Sequence, residues 1–212
     1  MLPDKEIKKK YRPLFWKSPE KYYACSVLKE EGFKRAFCTI CKKPFWSTVQ
    51  RSVCGDPLCS KEGFSFIGKS PAKNTLSYTD VWKQFSQMFQ KFGYTPIQRY
   101  PTVARWNPSM EYTNASIAAF QPYVISGEVQ PPANPLIIPQ FCLRFGDTDN
   151  VGTTMSHNTG FCMIGQHVFV KPEEWNQNEY FRHMLQWNLK GLGLKKEGMI
   201  FHEDAWAGGG NL

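Results

Sequence analysis

The 212-residue chain has no stretch that approaches the roughly 18 consecutive apolar residues a membrane-spanning helix needs. Its first residues, MLPDKEIKKK, are charged, and no apolar segment follows them as one would in a secretory signal peptide. Together the two absences predict a cytosolic protein with no membrane partner. Disorder is not expected either, because a composition with 42% hydrophobic and 15% aromatic residues can bury a core.

Histidine is scarce, and its placement does not suggest a nucleophilic enzyme. The four histidines are scattered at positions 157, 167, 183 and 202. No Ser–His–Asp or Cys–His arrangement is indicated, so we expect all but His157 to be structural or exposed. The acidic pair Glu203 and Asp204 is interpreted as a solvated loop end.

The seven cysteines are odd in number, and without a secretory signal they favour free thiols or metal ligands over a disulfide framework. Four of them lie in the segment CTICKKPFWSTVQRSVCGDPLC, at positions 38, 41, 54 and 59. Each pair, Cys38-x2-Cys41 and Cys54-x4-Cys59, can supply two thiolates to a tetrahedral zinc ion. The pattern predicts a structural zinc site, with four unconnected buried thiols as the alternative. The other three cysteines, 25, 142 and 162, are expected to be core thiols.

Positive charge is concentrated at the N-terminal end. Residues 1–43 contain twelve Lys or Arg and five Asp or Glu, so they carry +7 of the total net charge of +8. Such a basic end on a nearly neutral body suggests a polyanionic partner, most often nucleic acid. A solvated N-terminus is the alternative.

The segment 140–170 reads as two strands, 140–145 and 161–170, joined by a polar loop rich in turn-forming residues. Arg144 lies at one root of this predicted hairpin, and His157 and Phe161 lie at the other. A guanidinium offers a planar set of donors to phosphate oxygens, and a phenylalanine can face a nucleobase. The hairpin therefore suits a phosphorylated, planar ligand, although a plain hairpin with one solvent-facing arginine is the alternative.

The remaining pattern predicts an α+β fold. Apolar residues at helical spacing predict helices over 79–92 and 173–190, and shorter patterns predict strands at 99–106 and 198–201. Residues 111–117 are expected to form a strand end that runs into a helical turn. A linker is expected at 68–74.

Five separated segments together resemble archaeal-type alanyl-tRNA synthetases, which are class II aminoacyl-tRNA synthetases. They are the four-cysteine segment quoted above, EYTNASIAAFQ, ANPLIIPQFCLRFGDTDNVG, SHNTGFCMIGQHVF and HEDAWAGGGN. The resemblance implies a class II synthetase-like antiparallel sheet flanked by helices, preceded by a four-cysteine zinc-binding module. It divides the chain into a basic, zinc-binding segment, 1–67, and an aminoacylation domain, 68–212. That domain would hold the motif 1 and motif 2 regions but lack motif 3, so we expect the chain to end inside the catalytic domain and to need a complementary C-terminal chain.

The resemblance also implies roles for individual residues. Arg144 would be catalytic and would grip the ATP α-phosphate and the substrate carboxyl. His157 would approach the outer phosphates of ATP, and Phe161 would stack on adenine. The alanine-binding residues would be Asn114, Ile117 and Trp206, and the metal ligands would be Cys38, Cys41, Cys54 and Cys59. The sequence departs from the family pattern at Cys162, where bacterial forms carry an acid, so the nucleotide site is expected to be somewhat altered.

The expected function is that of an alanine–tRNA ligase, as an N-terminal catalytic fragment or split subunit. Alanine would be activated with ATP and Mg²⁺ and then transferred to tRNA(Ala), with zinc in a structural role. The alternative is a non-catalytic, tRNA-binding or regulatory module derived from the synthetase, which uses the zinc module and the basic end.

Overall fold

The computed structural model describes residues 4–61, 69–152, 157–206 and 209–211. Within these ranges the chain forms six α-helices: α1 (Asp4–Lys17), α2 (Pro19–Tyr22), α3 (Cys25–Glu30), α4 (Pro57–Ser60), α5 (Tyr78–Lys91) and α6 (Gln177–Gln186). The strands in the same ranges are β1 (Lys34–Phe37), β2 (Pro44–Ser47), β3 (Thr95–Pro96), β4 (Leu136–Leu143), β5 (Gly160–His167), β6 (Phe201–His202), β7 (Asp204–Trp206) and β8 (Gly209–Asn211). None of the described helices combines the length and apolar character needed to cross a membrane.

The chain divides into two compact units. The first combines Met1–Thr75 with Asn176–Leu212, and the second is Leu76–Trp175. The functional division at residue 67 is a different partition and stays a prediction. Its boundary falls within residues 62–68, which lie outside the described part of the chain.

The first unit is built around buried aromatic and aliphatic side chains from both ends of the chain. Strands β1, β2 and β6 form an antiparallel sheet in that order, with Trp46 of β2 opposite Arg35 and Phe201. Trp46 packs among buried residues of the helices and of the C-terminal segment, including Phe15, Val27, Leu28, Phe33, Leu185, Met199 and Ala205. Because residues 199–205 complete this core, the C-terminal segment is structural in the first unit.

Glu203 is buried, so its interpretation as part of a solvated loop end was wrong. Its side chain is fully shielded from solvent. Its two carboxylate oxygens accept hydrogen bonds from Arg35 Nε at 2.6 Å and from Arg35 Nη2 at 2.7 Å, and Oε1 also accepts one from Trp46 Nε1 at 2.7 Å. A buried carboxylate is tolerated here because a guanidinium and an indole satisfy it.

The second unit carries the predicted hairpin. Strands β4 and β5 are antiparallel, from Leu136 opposite His167 to Leu143 opposite Gly160, and β3 lies parallel to β4 on its other side. The chain enters this sheet at Leu136, and the first three residues of β4, Leu136, Ile137 and Ile138, are completely buried. Both strands of the hairpin and the α+β class are confirmed.

Helix α5 follows the prediction closely. Ser77 caps it by accepting a hydrogen bond from the backbone N–H of Asp80 at 3.2 Å. The rings of Phe85 and Phe89 stack with their centroids 4.0 Å apart and are both buried. This helix is core scaffold of the second unit.

Two predicted elements were wrong in part. Among the described residues, 99–106 contain only one isolated bridge, between Val103 and Tyr112, and no strand. Pro101 has no N–H to donate to a ladder, which disfavours an extended pairing there. The predicted helix 173–190 is interrupted: a 3₁₀ turn at Pro172–Glu174 precedes α6, and α6 continues into a π-helical turn at Trp187–Gly191.

Candidate functional site

Arg144 follows β4 directly and remains tied to the opposite strand. Its backbone N–H donates to the Thr159 carbonyl oxygen at 2.9 Å, which extends the hairpin one step beyond Leu143. Phe161 lies opposite Cys142, so these two residues share a face of the hairpin. Because side chains alternate between faces along a strand, Arg144, two residues after Cys142, projects from the same face as Phe161. The Arg144 Cζ atom lies 5.0 Å from the centroid of the Phe161 ring, a cation–π distance.

These two side chains line one cavity of about 470 Å³. The other lining residues come from the loop between the strands: Gly146, Asp147, Val151, His157 and Asn158. This volume falls in the range of small-molecule binding sites. Arg144, His157 and Phe161, which the sequence singled out separately, are therefore brought together.

Asn114 lies beside this cavity. Arg144 Nε donates a hydrogen bond to the Asn114 carbonyl oxygen at 2.9 Å, and the Leu143 N–H donates to the Thr113 carbonyl oxygen at 2.9 Å. The segment that contains Asn114 is thus attached to the end of β4. An exposed arginine is held in one orientation by this backbone contact on one side and by the Phe161 ring on the other.

The other two predicted alanine-binding residues are placed differently. Ile117 lies in a 3₁₀ turn, Ser116–Phe120, and packs on the buried cluster that contains Phe120, Leu136 and Ile138. The backbone of Trp206 belongs to β7 in the first unit, but its side chain lies outside the described part of the chain. The roles of both residues in alanine binding stay predictions.

Sequence reasoning missed Gln140, which fixes the segment before Asn114. Its side chain is fully buried, accepts from the Tyr100 N–H at 2.9 Å and donates to the Tyr100 carbonyl oxygen at 3.0 Å. The same amide nitrogen lies 3.4 Å from Thr113 Oγ1. The signal was available, since a glutamine inside an apolar strand must find partners once it is buried.

Sequence reasoning also missed the contact between Ser116 and His167. The His167 Nε2 atom lies 3.1 Å from Ser116 Oγ, and both residues are buried. Burial lowers the pKa of His167 to about 4, so the ring is neutral at physiological pH. Gly165 leaves room for this pair, because a Cβ there would lie 2.4 Å from His167 Nε2 and 2.5 Å from Ser116 Oγ.

The four predicted metal ligands form a cluster in the first unit. The Sγ atoms of Cys38, Cys41, Cys54 and Cys59 all lie within 4.8 Å of one another. The Cys41 and Cys54 sulfurs are 3.8 Å apart. Zn–S bonds of about 2.3 Å in a tetrahedron place sulfurs about 3.8 Å from each other, so the donor set fits a zinc ion.

Backbone geometry holds both cysteine pairs in tight turns. In the first turn the Lys42 N–H donates to the Cys38 carbonyl oxygen at 2.9 Å, with Lys42 in the left-handed region at φ 61°. In the second turn Gly55 adopts φ 75°, which glycine allows at little cost. Asp56 then caps α4, which carries Cys59, by accepting from the Leu58 N–H at 2.9 Å.

The pKa values of Cys38 and Cys59 are shifted in opposite directions. Burial raises the pKa of Cys38, but hydrogen bonds from the backbone of Cys41, Ile40 and Cys54 outweigh burial, and the pKa falls to about 6. Burial and the neighbouring thiols raise the pKa of Cys59 to about 12. Several thiolates so close together need a cation to coexist, which is the chemistry of a thiolate metal site.

Comparison with known families decides the affiliation of the chain. Residues 80–211 match the profile of the family described as tRNA synthetases class II (A). The chain belongs to this family. Class II membership confirms the predicted fold class, and the match covers the β4–β5 hairpin together with its cavity.

Three similar proteins share the name alanine–tRNA ligase. The chain is 44% identical over its whole length to alanine–tRNA ligase of Methanocella arvoryzae, covering 24% of that protein. It is 43% identical to alanine–tRNA ligase of Archaeoglobus fulgidus over 91% of the chain and 21% of the relative, and 38% identical to that of Nitrosopumilus maritimus over 100% and 23%. The predicted resemblance to archaeal-type alanyl-tRNA synthetases is confirmed. The chain spans about a quarter of the length of these relatives.

Proposed function

We propose that this class II synthetase chain provides the adenylate-forming site of an alanine–tRNA ligase. The observation that carries the proposal is the single cavity in which the Arg144 guanidinium lies over the Phe161 ring, next to His157 and attached to the backbone of Asn114. The names of the similar proteins support alanine as the amino acid. The ligand groups such a cavity suits are a phosphate, a purine and a small carboxylate.

The reaction would join alanine to AMP. A carboxylate oxygen of alanine attacks the α-phosphorus of ATP, the bond to the bridging oxygen breaks, and pyrophosphate leaves with the electron pair. No side-chain nucleophile is needed, so catalysis depends on positioning and on neutralising charge. Mg²⁺, bound with ATP, would supply charge neutralisation at the phosphates.

Individual residues of the chain would have separate roles in this reaction. Arg144 offers donors to the α-phosphate and to the alanine carboxylate, and its contact with the Asn114 carbonyl oxygen orients it beforehand. Phe161 would present a ring face to adenine, and His157, which lines the loop side of the cavity, would approach the outer phosphates. Roles in alanine binding are proposed for Asn114, Ile117 and Trp206 individually. Transfer to the 3′ end of tRNA(Ala) would follow.

The four-cysteine cluster would hold a structural zinc ion. Cys38, Cys41, Cys54 and Cys59 would provide four ligands, which leaves no open coordination position for a substrate. The ion would hold the two turns together. A role in catalytic chemistry is not proposed for it.

The direct test is alanine-dependent exchange of labelled pyrophosphate into ATP. Because the chain spans about a quarter of its relatives, the assay is run twice: with this chain alone, and with a polypeptide that supplies the remaining length of a relative. Label entering ATP only when alanine is present supports the proposal. No exchange in either setting, with a folded chain, contradicts it.

A second candidate is a tRNA-binding or regulatory module without catalysis. It is favoured by the surface of the cysteine module, where Phe37, Ile40 and Leu58 are exposed apolar residues next in sequence to the metal ligands or close to them. Exposed Lys42 and Lys43 belong to the same turn. An exposed aromatic ring among cations, such as that of Phe37, is typical of single-stranded nucleic acid contacts. Binding of tRNA(Ala) without any pyrophosphate exchange, even in the complemented assay, would favour this candidate.

A further inference from the structure

The second cysteine turn is in direct contact with the start of the C-terminal segment. Ile200 packs on the cluster formed by Cys38, Cys54 and Cys59. A Cβ at Gly55 would lie 2.5 Å from Ile200 Cδ1, so the isoleucine occupies the space that a side chain at position 55 would need. Two features therefore require glycine at position 55. Its φ of 75° favours glycine, and a Cβ at this position would collide with Ile200.

The next residues of the segment continue the sheet of the cysteine module. Strand β6 pairs with β2, placing Phe201 opposite Trp46 and His202 opposite Phe45. Strand β2 lies between the two cysteine pairs in sequence, and Phe45 itself packs in the cysteine cluster. The module thus contacts the segment through side chains at Ile200 and through backbone pairing at 201–202.

Glu203 forms the third connection. Its carboxylate accepts hydrogen bonds from Arg35 of β1 and from Trp46 of β2, and both strands flank the first cysteine turn. Its carbonyl oxygen also accepts from Trp16 Nε1 at 3.2 Å. A buried carboxylate with three donors aimed at its oxygens has one favoured position, so Glu203 defines where the chain continues into β7.

We infer that the metal module sets the position of residues 200–206, with Glu203 as the positioning residue, so that loss of the metal weakens the binding of alanine. The consequence for alanine rests on the proposed function, in which Trp206 has a role in alanine binding. The structural part rests only on the contacts of Ile200, Phe201 and Glu203 with the module. The metal would act at a distance, through the sheet, without touching a substrate.

Hydrogen–deuterium exchange of the 212-residue chain tests the structural part. Zinc-loaded and chelator-treated chains are compared by mass spectrometry. Amides of residues 200–206 are expected to exchange at least about tenfold faster without metal, while those of α6 and of the β4–β5 hairpin keep their rates. Unchanged exchange at 200–206 would overturn the inference. A uniform increase that includes α6 would do so too, because the metal would then hold the whole unit.

A Glu203→Gln variant tests the contacts of Glu203 with the cysteine module while the metal remains bound. It keeps the size of the side chain and removes the charge that Arg35 pairs with. We expect one zinc per chain and slow exchange at residues 38–59, as in the unaltered chain, but faster exchange at 203–206. Loss of zinc from this variant, or unchanged exchange at 203–206, would contradict the role of Glu203.

Steady-state kinetics test the expected effect on alanine binding. In the complemented pyrophosphate-exchange assay, Glu203→Gln is expected to raise the KM for alanine about fivefold while the KM for ATP changes less than about twofold. A general structural defect would lower activity without this difference. Equal changes in both KM values, or none, would overturn the effect on alanine. If the unaltered protein shows no exchange, the proposed function fails, and hydrogen exchange still decides the structural link.

Discussion

In the cysteine module three of the four candidate metal ligands are buried, whereas at the end of the β4–β5 hairpin the candidate ligand-binding side chains are half-buried or exposed. Cys38 and Cys54 are each 1% exposed, and the backbone of both turns is hydrogen-bonded around them. Arg144 is exposed and is oriented by one carbonyl oxygen and one ring. A permanent ligand can be enclosed by the fold, but a substrate must enter and leave, so its site must remain accessible.

Removing the metal should have the largest effect on stability. Structural zinc contributes on the order of 10 kcal/mol of apparent binding free energy in small domains. Cys38→Ser should therefore abolish zinc binding, measured by mass spectrometry, and unfold the cysteine module at residues 38–59, measured by hydrogen exchange, while α6 remains folded. Cys25→Ala is the matched control, since Cys25 is buried in the same unit but outside the cluster. Loss of zinc from the control would contradict the assigned ligand set.

Breaking the pair between Arg35 and Glu203 should have the next largest effect. Arg35→Ala leaves a buried carboxylate without its cation, which costs about 3–5 kcal/mol in the free energy of unfolding. Denaturant unfolding measures the change. Arg182→Ala is the control, because its pair with Glu30 is partly exposed and should contribute less than about 1 kcal/mol. Similar costs for both variants would show that burial of Glu203 does not matter.

Removing Arg144 should affect activity and leave stability nearly unchanged. If it neutralises charge at the α-phosphate, Arg144→Ala should slow pyrophosphate exchange by about 10²–10³-fold. The melting temperature should stay close to that of the unaltered chain, because the side chain is exposed. Arg99→Ala, an exposed arginine of the same unit outside this cavity, is the control. A loss of exchange in both variants would point to a general effect of charge.

The neutral, buried His167 should make the second unit less stable in mild acid. Its pKa in the folded chain is about 4, below the ordinary value of 6.5, so the unfolded chain binds more protons between these values. Stability from this residue is complete above about pH 6.5 and is lost as the pH falls toward 4. Between pH 7 and pH 5 the loss is about 2 kcal/mol. Denaturant unfolding at both pH values should show this difference in the unaltered chain but not in His167→Gln.

Replacing the aromatic ring of Phe161 should have the smallest effect. Phe161→Leu keeps an apolar side chain but removes the face that would stack on adenine, which costs about 1 kcal/mol, or roughly a fivefold higher KM for ATP. The KM for alanine should change less than the KM for ATP, because the Asn114 carbonyl oxygen still orients Arg144. Steady-state exchange kinetics measure both values. An unchanged KM for ATP would contradict the stacking role of Phe161.

The sequence was sufficient where a local pattern determines the structure. Helix α5, the β4–β5 hairpin and the four-cysteine cluster follow from periodicity, turn residues and ligand spacing, which act over a few residues. It was also sufficient to predict that Arg144, His157 and Phe161 lie near one another, because they lie at the two roots of one hairpin. Their roles in binding stay predictions.

The sequence was insufficient where contacts join distant segments. The burial of Glu203 depends on Arg35, 168 residues away, and the role of Gln140 depends on Tyr100 and Thr113. No local pattern encodes such pairs. The missing strand at 99–106 has the same origin, because Tyr100 uses its backbone N–H and C=O groups for the Gln140 amide instead of for a neighbouring strand.

The hydrogen bonds of the Gln140 amide also restrict which side chains can replace it at that position. Its nitrogen faces the carbonyl oxygens of Tyr100 and Phe141, so an isosteric glutamate would set oxygen against oxygen and an aliphatic residue would leave the Tyr100 N–H unsatisfied. A shift of β4 by one residue would turn the amide toward the opposite face of the sheet. The Gln140 side chain thus permits only one register of β4, and this register determines the position of Arg144 four residues later.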